Sequence, residues 1–462
     1  MHLKKSQPQI VSILFAYIFI HDRIFNVQAF SFQPKKVSSS TAYKNPKAVE
    51  RRDIFKFITS SFMITNIAAP AASASPKLDG YKPEEAKVSP QSGRSFFPTI
   101  TPPFQNRATY RYTLRRDAYA LEQLLTFGNV TATIRTIVQV QTNGKLWVHG
   151  PLYPTGEYRA LLDELGEVEH VVLPCNALEH KAPMEAFLKV YKPKSVWITP
   201  GQYSVFGSCG MDLNSCQMPY QVDGVIPMSS QDSNSPLPPW SDEFEFRTLY
   251  LDLPKNAGPV SETAFVHKPT RTLITTDSVI YVPETAPPIF DSYFQNISIT
   301  SNPDFWPKTV LQSVFLPLRE EKESLNTWPG YKVIQNKLVR APILRSFVDA
   351  RAPKDIQSWV EEVASMGTNN GISLKENKKD VEGFDRILTA HFASPIQASP
   401  SEFKQAFAYL FSYEDTSSET MSNPLPKIAC EDWELLQILN DFIDGYNLGA
   451  PTVFDYKRGC VQ

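Results

Sequence analysis

Val171-Val172-Leu173-Pro174-Cys175-Asn176-Ala177-Leu178-Glu179-His180 is the stretch whose reading decides the fold. An apolar run of strand character ends in a polar loop carrying an adjacent carboxylate and imidazole. Pro183 then opens a helix-like segment, Met184 to Tyr191. In layered α/β folds ligand-binding groups collect at the C-terminal ends of strands, where the chain turns into a helix. Two later segments repeat this form. Thr272-Leu273-Ile274-Thr275-Thr276 runs into Asp277, and Arg386-Ile387-Leu388-Thr389-Ala390 runs into His391. Three strand ends thus present Glu179/His180, Asp277 and His391, and the expectation is that their loops meet in one site.

Working outward, Thr133 to Val140 alternates as a half-buried strand does. Asn143-Gly144 is a hairpin signal, with Lys145 to His149 as the partner strand. Thr155 can cap a helix with Tyr158, Leu161, Leu162 and Leu165 on its apolar stripe, and Gly166 is placed to end it. A strand at Ser195 to Thr199 completes a β-β-α-β-α-β order, which argues for a sheet with helices on its face. Tyr110 to Val130 stays ambiguous, because Leu121, Leu124 and Leu125 have helical spacing. Residues 202–240 read as a long loop, followed by strands near Phe246 to Leu253 and Thr263 to His267. Farther on, helices are expected at Thr309 to Leu316, at Asp355 to Met366 and after Ser401 as a cap, with a strand at Phe384 to Ala390. The last amphipathic helix, Trp433 to Ile443, falls in an appended tail, residues 413–462.

At 462 residues the chain is long enough for one large domain or two ordinary ones. Apolar content of 42% and charged content of 20% fit a soluble globular protein. With 46 basic against 48 acidic residues and no basic tract, nucleic-acid binding has no support. The mature chain holds no run of the roughly 20 apolar residues that a membrane-spanning helix needs. No GxSxG elbow, Walker loop or GxGxxG turn occurs, so serine hydrolases, P-loop enzymes and Rossmann dehydrogenases lack support.

The N-terminus reads as an address in three parts. Residues 1–29 have the form of a signal peptide, with Lys4 and Lys5, the apolar Ile10 to Ile20, and Val27-Gln28-Ala29 before Phe30. Residues 30–50 are rich in Ser and Lys, like a plastid transit peptide. The pairing resembles the bipartite plastid presequence of diatoms and related algae. Residues 51–74, with Arg51-Arg52 and Ala72-Ser73-Ala74, resemble a twin-arginine lumen-transfer signal. The expectation is a mature protein beginning near Ser75 in the thylakoid lumen, with residues 75–129 as an extended lead-in and 130–412 as the folded domain.

Several runs together are similar to a family found in cyanobacteria and plastids. They include Gly144 to Pro151, Val172-Leu173-Pro174, Glu179-His180-Lys181, Pro200-Gly201-Gln202, Thr272 to Asp277, Ala341 to Leu344, Arg386-Ile387-Leu388 with His391, and Ala398 to Phe407. The family is domain of unknown function 4336, a remote relative of the metallo-β-lactamase fold. The resemblance implies an α/β architecture, a metallo-β-lactamase-like αββα sandwich with its site along one edge, and it supplies no activity. The superfamily's metal pattern is His-x-His-x-Asp-His, then a further His, a strand-end Asp and a final strand-end His. Setting Glu179-His180 on the Asp-His pair puts Cys175 and Ala177 where the first two histidines belong. No His falls in the usual interval before Asp277, because His267 lies too close and inside a strand. One metal position therefore looks dismantled. The other keeps Glu179, His180, Asp277 and His391, a set suited to one divalent metal, Zn²⁺, Fe²⁺ or Mn²⁺.

Other readings of these residues stay open. Glu179 and His180 fit a solvated loop or a helix N-terminus, and Asp277 fits an acceptor holding the Thr275/Thr276 turn. His391 fits a satisfied, partly buried histidine. His267 and His149 read as structural, His149 lying near the opposite side of the pattern. Cys175 reads as a buried, inert thiol, and Cys209 and Cys216 as able to pair in an oxidising lumen. Two functions from different classes follow. One is a single-metal hydrolase acting on a small molecule; the other is a catalytically inactive sandwich that binds a thylakoid protein as an assembly factor.

Overall fold

The computed structural model describes residues 77–78, 87–88 and 108–461, apart from 128–129, 205–206, 209–217, 233, 254–257, 295–300, 321–327, 368–382, 412–426 and 448. The three targeting elements and the Cys209/Cys216 pair lie outside the described residues.

Two mixed sheets pack face to face. The larger begins with an antiparallel run: β2 (Lys87–Val88), β3 (Tyr110–Arg115), β4 (Ala118–Phe127), β5 (Val130–Val140) and β6 (Leu146–His149). It continues in parallel through β7 (Val168–Leu173), β8 (Ser195–Ile198) and β11 (Gly224–Val225). Two small separate ribbons accompany them, β9 (Tyr203–Ser204) with β10 (Gly207–Ser208) and β15 (Ile280–Tyr281) with β16 (Leu338–Val339). The second sheet has the order β1 (Lys77–Leu78), β18 (Ile396–Gln397), β17 (Arg386–Leu388), β14 (Thr272–Ile274), β13 (Gly258–His267) and β12 (Phe244–Leu253). Here β14 and β17 run parallel, so their C-terminal ends share one edge.

The sequence explains the layering. In β7, Val172 turns into the core between the sheets, while Val171 and Leu173 turn to the outer face. Both faces are covered, which is why the strand reads as a continuous apolar run. The central core joins Ile137, Trp147 and Trp197 of the large sheet to Phe246, Phe265 and Ile274 of the small one. On the large sheet's outer face lie α1 (Gly156–Asp163) and α3 (Met184–Val190), through Tyr158, Leu161 and Phe187. A four-residue turn of helix, α2 (Leu178–Lys181), precedes α3. On the small sheet's outer face lie helices Pro353–Ser365 and Pro400–Gln405, through Ile356, Trp359, Val363 and Phe403. The result is the expected αββα sandwich.

Local signals behave as physics dictates. Thr155 caps α1 by accepting from the Tyr158 amide, and Gly144 makes the β5–β6 turn at φ +78°. Two expectations are corrected and one open reading is decided. The ambiguous stretch Tyr110 to Phe127 forms two strands. Ala120 and Leu124 face the central core while Leu121 and Leu125 face the outer one, so burial on both faces imitates helical spacing. The lead-in therefore contributes strands to both sheets. The cap before Pro400–Gln405 is Ser399, which forms a reciprocal capping box with Glu402; it is not Ser401.

The segment read as a tail packs closely. Its helix, Glu434–Gly445, places Leu436 beside Trp433 in the central core. Arg351 bonds Asn440 and Asp444 at 2.6 and 2.9 Å. A disulfide, Cys430–Cys460, closes this segment on itself.

Candidate metal centre

The site forms where the two sheets meet along one edge. Past β7 the chain crosses to the small sheet: Thr263 N–H donates to Pro174 O at 2.8 Å, and Asn176 N–H donates to Ser261 O at 3.2 Å. Asn176 also donates through its side chain to Pro259 O and accepts from the Ser261 amide. Gln202 Nε2 donates to Cys175 O at 2.9 Å. These bonds fix the direction in which α2 leaves, and with it Glu179 and His180.

Glu179, His180, Asp277 and His391 converge, their ligating atoms all within 4.8 Å of one another. The two Nε2 atoms of His180 and His391 lie 3.2 Å apart. Asp277 Oδ1 is 3.1 Å from His391 Nε2 and 3.6 Å from His180 Nε2. Two nitrogens and an oxygen around a tetrahedral Zn²⁺ at its usual bond lengths would be separated by about 3.3–3.5 Å, so this triangle has the right size. His391 Nδ1–H donates to Thr133 O at 2.7 Å, which turns Nε2 toward the other two groups. His180 is fully buried, and its Nδ1 has no hydrogen-bond partner among the described residues. The donor set fits one divalent cation.

The charges are balanced within the group. Burial opposes ionisation of Asp277, but bonds to His180 and His391 and their positive charge outweigh it and hold its carboxyl well below the usual range. Burial likewise opposes a charge on His391, yet the Asp277 bond and charge raise its pKa. For Glu179, burial and then the Asp277 charge raise the carboxyl. Cys175 is buried beside the cluster, Sγ 3.8 Å from Asp277 Oδ2, and burial with three nearby carboxylates pushes its thiol well up. It is an unreactive thiol.

Glu262 was not singled out in the sequence. Its Oε1 accepts from the amides of Thr276, Asp277 and Ser278 at 2.7, 3.2 and 3.2 Å. The strand-end turn is therefore held by Glu262, which frees Asp277 to face the histidines. The available signal was a lone carboxylate within the strand Gly258–His267. His267 is structural as expected, held by Thr270 at 2.8 Å and facing Glu243. His149 needs correction: β6 and β7 run parallel, so His149 ends on the site's edge. The His180 charge reaches it, and a Cβ on Gly150 would lie 3.5 Å from His180 Nδ1.

The class defined by this fold and site is an αββα sandwich with a one-metal donor set. The chain matches the model of "Domain of unknown function (DUF4336)" over residues 116–309 and 317–409, and it belongs to that family. No curated protein gives a significant match. Among solved structures it is similar to a metallo-β-lactamase from Pontibacter korlensis, at 9% identity and TM-score 0.30, covering 65% of this chain and 98% of that one. It is also similar to the DIM-1 metallo-β-lactamase, at 8% and 0.27, covering 45% and 83%. A third is the FIM-1 enzyme from Pseudomonas aeruginosa in its mono-zinc form, at 6% and 0.26, covering 44% and 82%. The architecture itself rests on this chain's own strand order and cores.

Proposed function

We propose that the protein is a single-metal hydrolase-like enzyme of the thylakoid lumen. The observation that carries the reading is the triangle of His180, Asp277 and His391 with 3.1–3.6 Å sides, its His391 ring fixed by Thr133 O. When bound, a divalent cation would polarise a carbonyl or phosphoryl oxygen and lower the pKa of its water. His180, His391 and Asp277 would hold it, with Glu179 as the fourth group. The Asp277 carboxylate, kept ionised, supplies negative charge that suits a cation. Glu262 holds the turn that aims it. Cys175 and Ala177 replace the two histidines of a second position, so the chemistry has one centre only.

The lumen address is supported by the three N-terminal elements and by the Cys430–Cys460 disulfide, a bond that persists in oxidising compartments. No helix among the described residues is long and apolar enough to cross a membrane. A second reading is a sandwich without catalysis that binds a protein of a photosynthetic complex. It draws on Cys175 and Ala177, and on His180 Nδ1, because a metal-bound histidine ordinarily donates from its second nitrogen.

Metal content separates the two. Elemental mass spectrometry on protein purified without chelator should find close to one equivalent of zinc, iron or manganese, lost in His180→Ala and in Asp277→Ala. Metal content near zero, unchanged after reloading, would leave the binding-protein reading. An N-terminus at Ser75 on protein isolated from its own cells checks the address.

A further inference from the structure

One buried ion pair lies outside the metal-binding set yet touches the loop that delivers His391. Arg135 of β5 and Glu122 of β4 face each other across the ladder, both almost fully buried. Arg135 Nε donates to Glu122 Oε2 at 3.1 Å. Nη2 is shared, donating to the same Glu122 oxygen and to the carbonyl of Phe392. Nη1 reaches the other sheet, where it donates to the carbonyls of Thr389 and His391 at 3.0 and 3.3 Å. The backbone amide of Arg135 also donates to Ala390 O at 3.0 Å. Four successive carbonyls, 389 to 392, thus end on one residue of the opposite sheet.

That loop has one bond of its own to a gathered carbonyl, Thr389 Oγ1 donating to His391 O at 3.0 Å, and carries local strain. Phe392 sits at φ +55°, a left-handed conformation that is uncommon for a bulky side chain. Carbonyls gathered on one side repel unless a cation lies among them. Arg supplies five donors in a rigid fork, which a lysine cannot. On the same strand, Thr133 O receives the His391 Nδ1–H and Thr133 Oγ1 donates to Phe392 O at 3.3 Å.

We propose that Arg135, fixed by Glu122, is the positioning residue for His391: it locks the 389–392 loop so that the ring meets Thr133 O on one side and the cation on the other. This rests on the metal-site reading above. Arg135 touches no ligating atom itself.

The test uses two variants. Arg135→Lys keeps the charge and removes the fork. The double variant Arg135→Met with Glu122→Met replaces the whole pair by apolar groups, so that no lone charge is left buried. Zn²⁺ affinity, measured against a chromophoric chelator, should fall about 10–100-fold in both, the scale seen when a ligand's supporting partner is lost. In metal-free protein the His391 Nδ1–H resonance should be present in the wild type and lost or exchange-broadened in the variants. Urea unfolding of the metal-free double variant should still show one cooperative transition, at a lower midpoint because the carbonyls that Arg135 served lose a donor. Unchanged zinc affinity together with an unchanged His391 resonance would overturn the proposal. If the wild type binds no zinc, the hydrolase reading fails and the His391 resonance alone decides on Arg135. If the double variant does not fold, Arg135→Lys carries the decision.

Discussion

His149→Phe should stabilise this protein, and more so in acid. The His149 ring is fully buried between Trp147 and Phe265, at centroid distances of 5.7 and 5.6 Å. Apart from its own backbone, neither ring nitrogen has a hydrogen-bond partner among the described residues. Burial, with the His180 charge adding to it, lowers its pKa from 6.5 to about 3. A base with a depressed folded-state pKa binds fewer protons folded than unfolded. Stability is therefore complete above pH 6.5 and falls as pH drops toward 3. At roughly 1.4 kcal/mol per unit, the loss is about 2 kcal/mol by pH 5 and about 4 kcal/mol by pH 3, where the folded-state ring is half protonated.

Phenylalanine has nearly the same shape and no proton to take up. At pH 7 it also removes the burial of unpaired nitrogen, a gain of about 1–3 kcal/mol, less up to about 1 kcal/mol for its larger ring. The assay is urea unfolding of wild type and variant at pH 7 and pH 5, compared as differences so that the other titrating groups cancel. The expected result is a stabler variant whose advantage grows by about 2 kcal/mol between the two pH values. An identical acid slope, or a variant weaker than wild type at pH 7, would refute the reasoning and show that the ring nitrogens have partners in solution.

Two further outcomes follow from the same contacts. Glu262→Ala should cost about 3 kcal/mol or more in urea unfolding, because three amides of the 276–278 turn lose their acceptor; Glu262→Gln, which keeps an oxygen there, should cost markedly less. Cys430→Ser should lower stability by about 2–4 kcal/mol in oxidised protein and have no effect once dithiothreitol has reduced the wild type, a comparison that chemical denaturation makes directly.

The sequence carried the fold because both periodicities were strong. The three strand ends before Glu179, Asp277 and His391 were legible from apolar runs stopping at a polar residue, and the same runs brought the four candidate ligands together. What failed was position across the sandwich. Leu121, Leu124 and Leu125 look helical in one dimension and are strand residues buried on alternate faces. His149 looked remote until the parallel pairing of β6 with β7 put both strand ends on one edge. The Cys430–Cys460 pair and the packing of Trp433 were hidden because a polar stretch, 413–427, separates them from the domain in sequence.

The supporting residues were hidden for a different reason. Glu262, Arg135 and Glu122 each sit inside a strand, where a single charge reads as an ordinary outward-facing residue. In three dimensions none of them is outward. Glu262 gathers the amides of the turn that carries Asp277, and Arg135 gathers the carbonyls of the loop that carries His391. The two loops are irregular backbone at a buried seam, and such backbone needs partners for its polar groups. One loop offers surplus donors and the other surplus acceptors, so one is answered by a carboxylate and the other by a guanidinium. The order of Asp277 and His391 thus depends on two buried charges that bind backbone, and the sheet-to-sheet contact and the candidate metal centre are one structural unit.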